Sequence, residues 1–276
     1  MTAQRPLRTG LLVAAGAVAA VFFLFPYLIM LLTSLKPEGE LVTIPPRLFP
    51  QHWTPGNFID VWSAAPIAQH LKVTLIVASA STLLTVIAAA PAAYYTARNE
   101  FRGRRLFMIL VLITQMFSPI ALLIGLYREF LQIGLVDNYW ALVITNSAFN
   151  LAFTIWILNA YFKNIPAELE QAAWMDGCTR PQALWRIVMP LAAPGIVTAV
   201  IFCFIAAWNE YVIALTLINT TENQPLTLGV TSFIGLNKTE WQFLFAASLI
   251  AIIPVVVLFG LIERYLISGL TAGSIK

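Results

Sequence analysis

The chain has 276 residues, of which 59% are hydrophobic and 11% charged, far from the roughly half apolar and one-quarter charged of soluble domains. Sixteen Lys and Arg against thirteen Asp and Glu give a formal charge of +3 with no basic run, which excludes a nucleic-acid footprint. Two cysteines, Cys178 and Cys203, and two histidines, His52 and His70, supply neither a disulfide framework nor a metal-ligand cluster.

A bilayer core of about 30 Å needs roughly 20 apolar residues in helix. Six runs meet that requirement: Leu11–Leu35, Val73–Ala97, Leu106–Leu126, Tyr139–Phe162, Leu191–Ile218 and Phe243–Leu261. They are too long for barrel strands and lack alternation, so the expected fold is all-α and polytopic, a single transmembrane domain over residues 1–276. The first run contains AAGAVAA, which could be a signal-peptide cleavage site. The apolar stretch continues well beyond it, and a retained anchor is the better reading.

Six spans put both termini on one side. Eleven of the sixteen basic residues fall on that side, against Lys36, Arg47, Lys72, Arg128 and Lys238 on the other. The excess of positive charge predicts cytoplasmic termini. It also makes residues 36–72 an external loop, carrying both histidines and so many prolines that no regular structure is expected there. Residues 219–240 are expected to form a later external loop, polar and carrying Pro225, Gly229 and Gly235, and 269–276 a cytoplasmic tail.

Between the fourth and fifth runs, residues 164–190 read as helix, glycine turn, helix. Pro166 suits a first helical position, Gly177 a left-handed C-cap, and Thr179 with Gln182 a capping box, while Pro190 would end or kink the second helix. Leu169, Ala172, Ala173 and Asp176 share the i, i+3, i+4, i+7 face, where alanines admit close approach of another surface.

This segment resembles the cytoplasmic EAA loop of ABC-importer permeases. The motif stands here as Gln171, Ala172, Ala173, then Gly177, then Ile187, Val188, Met189 and Pro190. Gln171 replaces the motif's Glu, and Glu170 supplies a carboxylate next door. Further matches, Trp208 to Tyr211, Pro225 to Gly229, Trp241 with Ala246 to Ser248, and the GLTAG ending from Gly269, resemble the carbohydrate permeases of the maltose type.

The resemblance implies an inner-membrane permease subunit that pairs with a second, homologous permease, two ATPase subunits and an external substrate-binding protein. It further implies that the 164–190 hairpin is a coupling helix seated on an ATPase. The implied coupling residues are Glu170, Gln171, Ala172, Ala173, Asp176, Gly177, Ile187 and Pro190, with Gly269 and Gly273 in a tail between the ATPases. The 219–240 loop is expected to reach the binding protein. ATP and Mg would sit on the ATPases; this chain has no GxxxxGK[ST] loop and no credible catalytic constellation, so no cofactor and no enzymatic activity of its own are expected.

For a substrate pathway the leads are polar side chains inside spans: Gln115, Asn146, Asn150, Asn209 and Glu210. Interhelical hydrogen bonding is the alternative role for each. The implied substrate is a sugar, a disaccharide such as trehalose or maltose, with glycerol 3-phosphate or another solute as alternatives. Glu210, an acid well inside a run, motivates the rival reading of an ion-coupled secondary transporter.

Overall fold

The computed structural model describes residues 4–271, with side chains described over 9–261, and the fold is all helical. The helices are α1 (Gln4–Ser34), α2 (Glu38–Leu41), α3 (Asn57–Ala64), α4 (Ile67–Arg98), α5 (Arg104–Thr114), α6 (Pro119–Gln132), α7 (Tyr139–Asn164), α8 (Glu168–Met175) and α9 (Arg180–Ala183). A π-helical turn over Leu184–Val188 follows, then α10 (Met189–Leu191), α11 (Ala193–Trp208), α12 (Val212–Leu217), α13 (Leu226–Thr231) and α14 (Trp241–Thr271). No strand forms among the described residues, only an isolated bridge between Ile234 and Thr239.

Among the described residues, four helices are long and apolar enough to cross a membrane: Thr9–Ser34, Ile67–Arg98, Tyr139–Asn164 and Trp241–Leu261. Six spans result if two bent pairs each count as one. The third and fifth apolar runs are therefore not straight helices. In the third, α5 and α6 meet at 90°, because Ser118 before Pro119 is extended at ψ 128, the conformation that a following proline ring favours. The fifth begins at a 79° bend around Ala192, where Arg180–Leu191 of the hairpin meets α11 with Pro194 in its first turn, and a break at residues 209–211 separates α11 from α12.

The chain divides into two compact units, residues up to 68 with 229–254, and 69–228 with those from 255. In the first, the 36–57 segment is more ordered than its prolines predict. Lys36 Nζ donates to Arg47 O at 2.6 Å, and Asn57 Nδ2 donates to Ser34 O at 2.8 Å. Glu40 accepts the Gln51 and His52 backbone N–H groups at 2.8 and 3.0 Å, and the Gln51 bond leads in holding its carboxyl below the usual carboxylate range. The expected structureless loop instead holds α2, α3 and the first turns of α4.

The second unit is organised around α4 and α7. One apolar cluster joins Val73 and Val77 of α4, Leu142 of α7, Phe130 of α6 and Leu217 of α12; another joins Ala89 and Ala93 of α4, Leu158 and Phe162 of α7, and Leu184 and Val188 of the π turn. Between the clusters the same two helices are tied by small hydroxyls. Ser147 Oγ donates to Ser81 O at 3.1 Å, and Thr85 Oγ1 donates to Ser147 O at 3.4 Å. Small polar residues let helix backbones come close where water cannot satisfy them.

Candidate functional site

In the 164–190 hairpin Pro166 stands one residue before the Ala167 N-cap of α8, not at the first helical position, while the glycine turn and the capping box form as their residue types dictate. Cys178 N–H donates to Ala173 O at 2.9 Å and Gly177 N–H to Trp174 O at 3.0 Å, the paired bonds of a Schellman motif that satisfy the last carbonyls of α8. Gly177 lies at φ +86 with nothing within 4 Å of where a Cβ would stand, so glycine is required by the backbone and not by space. Thr179 and Gln182 complete a capping box, with Gln182 Oε1 accepting Thr179 N–H at 2.8 Å.

The second helix runs through Pro190 to Leu191 and then bends sharply at Ala192, so the proline marks a kink. In a regular α-helix its ring would press on the carbonyl of residue 186. The preceding π turn widens the helix there, with Met189 N–H bonded to Leu184 O, five residues back. Ile187 is half-buried and Pro190 exposed.

The predicted outward face needs a correction. Leu169, Gln171, Ala172, Met175 and Asp176 are exposed, but Ala173 is buried at 4% exposure and does not share that face. Glu170 also turns inward, at 2%. Its Oε1 lies 2.5 Å from Arg98 Nε, and its Oε2 accepts the Tyr94 hydroxyl at 2.5 Å. Arg98 Nη1 donates to Ile165 O, just beyond α7, at 2.9 Å. A cavity of about 240 Å³ opens beside the pair, with Tyr95, Gln171 and Trp174 in its wall. The Arg180 guanidinium lies 5.6 Å from the centroid of the Trp174 ring. Arg98 and Tyr94 escaped the sequence reading: their spacing puts them on one face of α4, yet nothing links that face to a glutamate 72 positions away. Of the expected 269–276 tail, residues 269–271, with Gly269, form the end of α14, where only the backbone is described, and residues 272–276, with Gly273, lie outside the described residues.

The polar residues inside the runs do not converge on one point. Asn146 is buried and donates to Leu142 O at 3.0 Å, one turn back on its own helix. Asn150 donates to Asn146 O at 2.9 Å, and Asn209, exposed, to Ile205 O at 3.0 Å. Gln115, at the α5–α6 break, bridges to Phe149 O at 2.9 Å. Glu210 accepts the N–H groups of Ile213 and Ala214 at 2.7 and 3.0 Å and so caps α12, satisfying donors that the break leaves free. Among the described residues no group of three or more His, Cys, Asp or Glu side chains is placed to hold a metal ion.

Away from the hairpin, residues 219–228 are fastened to their neighbours. Asp137, at φ +64, accepts from Thr220 N–H at 2.8 Å, Asn219 N–H at 2.9 Å and Thr220 Oγ1 at 3.0 Å. These bonds, the Thr220 N–H first among them, hold its carboxyl below the usual range. His70, expected in a loop, instead lies buried within α4 with Nδ1 2.9 Å from Gln224 O.

Residues 81–271 match the family model of the binding-protein-dependent transport system inner membrane component. The inner membrane ABC transporter permease protein YcjP of Escherichia coli is 34% identical over 94% of each chain. The trehalose/maltose transport system permease protein MalG of Thermococcus litoralis is 34% identical over 99% of each. Among solved structures, a bacterial ABC transporter involved in the import of the acidic polysaccharide alginate superposes with a TM-score of 0.81, covering 96% of this chain and 98% of that one at 23% identity, a likeness of fold. The chain belongs to the binding-protein-dependent transport system inner membrane components: it is a multi-pass protein of the cytoplasmic membrane and a permease subunit, not an enzyme in its own right.

Proposed function

We propose that this permease subunit serves an ATP-driven sugar importer and passes a disaccharide of the trehalose or maltose type across the membrane. It works with a second, homologous permease, two ATPase subunits that bind ATP and Mg, and an external binding protein. The observation that carries the reading is the α8–Gly177–α9 hairpin, a capped and rigid peg whose outward residues, Gln171, Ala172 and Met175, are small or flexible. Such a peg suits a cleft in a soluble partner better than a membrane surface, since surface helices carry Lys and Arg while α8 presents Glu168 and, at its C-cap, Asp176. The hairpin and both termini then lie in the cytoplasm, with 36–72 and 219–240 outside.

The trehalose/maltose relative supports the choice of sugar. Glu210, occupied as the cap of α12, is not poised as a proton relay. The substrate pathway is assigned to Asn150, Asn209 and Gln115, which are exposed or half-buried at helix breaks and faces, with Asn146 supporting Asn150 from within α7.

The test is a solute screen on the cognate binding protein by thermal shift. Ligand at 100 times its Kd stabilises by about 2.7 kcal/mol, so trehalose or maltose should raise Tm clearly. A shift with glycerol 3-phosphate and none with either disaccharide would replace the proposed sugar with that alternative.

A further inference from the structure

α8 has two buried side chains, Ala173, which offers a single methyl, and Glu170, which reaches α4. The cavity of about 240 Å³ lies against that reach, so apolar packing does not fill the space around it. What spans the gap is charge. Arg98, on the last turn of α4, meets Glu170 Oε1 at 2.5 Å through Nε and the Ile165 carbonyl at 2.9 Å through Nη1, while Tyr94, one turn earlier, donates to Glu170 Oε2. One guanidinium therefore joins α4, the end of α7 and the first helix of the hairpin.

The two side chains are only 14% and 2% exposed. Separating the pair would leave two poorly solvated charges with only the Tyr94 hydroxyl and the Ile165 carbonyl as partners, so it resists stretching more than a fully solvated pair does. Asn159 of α7 adds a brace to the same end of α4 by donating to Thr96 Oγ1 at 2.8 Å.

We infer that Arg98 is a positioning residue for transport: through Glu170 it makes α8 and the end of α4 move as one body, delivering displacement of the docking hairpin to the transmembrane unit. The inference rests on the docking role proposed for that hairpin. Tyr94 holds the second carboxylate oxygen and keeps Glu170 aimed at Arg98. Glu170 then acts within the chain, and the ATPase meets its exposed neighbours Gln171 and Ala172.

The test follows spin labels on Glu168→Cys and Ile87→Cys in a Cys178→Ser background, both labels at exposed positions away from Gln171, Ala172 and Met175, in the assembled complex with its partner permease and ATPases. Their separation is measured without nucleotide and after trapping with ATP and vanadate. With Arg98 and Glu170 intact, one narrow distance should persist in both states. In the Arg98→Gln/Glu170→Gln double variant, which removes both charges and strands neither, the distance should differ between states. Hydrolysis stimulated by trehalose-loaded binding protein should also fall by about tenfold, within the roughly 5- to 150-fold range of coupling between sites. Tyr94→Phe should broaden the distance in the same direction, and it serves if the double variant fails to assemble.

A wild-type distance that changes between states, or a variant distance that stays as fixed as the wild type, overturns the inference. Ala172→Glu separates this from the docking reading. Loss of ATPase subunits from Ala172→Glu supports docking whatever the labels show, and their retention removes the docking reading with the label distances still reporting on Arg98.

Discussion

The ring of Tyr161 on α7 occupies the space where a Cβ on Gly195 of α11 would stand. Two helices of the transmembrane unit thus touch, aromatic face against bare backbone. Gly195→Ala should force the ring or the helix to shift, and overpacking of this kind costs about 1–3 kcal/mol. A lowered Tm of the purified subunit in detergent checks it, and Tyr161→Ala, which removes the crowding Cγ and Cδ atoms, should make the added cost of Gly195→Ala much smaller than in the wild-type background. An equal cost of Gly195→Ala with and without the tyrosine ring would show that the contact is not what limits the packing.

At Gly177 the demand is different, because the space is open and only the backbone at φ +86 forbids a side chain. Gly177→Val should strain the turn by about 1–3 kcal/mol, while Gly177→Asn, a residue tolerated in the left-handed region, should be milder. The expected phenotype of the valine variant is a subunit that inserts and pairs with its partner permease yet retains less ATPase on affinity purification.

The exposures of two adjacent alanines predict two different failures. Ala173→Glu places a carboxylate in a buried site and should destabilise the hairpin itself, read as lower Tm of the isolated subunit. Ala172→Glu, on the exposed face, should leave that Tm unchanged and weaken ATPase retention alone.

Much of this was legible in the sequence for a physical reason: Gly177, Thr179 and Gln182 act within a few residues of themselves, and local chemistry is what a linear pattern records. The hairpin followed from those residues. The inward turn of Glu170 did not, since it depends on Arg98 and Tyr94 on a distant helix. Nor did the bends, because a long apolar run reports length and composition but not direction. Pro119 and Pro194 mark two of the breaks; the α11–α12 break at residues 209–211 has no proline and is stabilised by the carboxylate of Glu210, which a sequence reader takes for a transport acid.

Asp137 supplies a pH prediction. Its folded-state pKa is depressed by the Thr220 and Asn219 N–H groups, so its contribution is present above the ordinary Asp value of about 3.9 and lost as pH falls through the folded value. Anchoring of residues 219–223 should thus be flat across neutral pH and fail only in acid. Asp137→Asn keeps a residue tolerated at φ +64 and removes the charge, so hydrogen exchange at Asn219 and Thr220 should rise at pH 7. Unchanged exchange in that variant would show that the carboxylate does not hold the loop.

The most direct measurement is uptake of labelled trehalose and maltose into proteoliposomes holding this subunit, its partner permease, two ATPases and the binding protein. Accumulation should require both ATP and the binding protein, and should persist when an ionophore collapses ion gradients. Uptake driven by an imposed proton or sodium gradient in the absence of ATP would contradict the account.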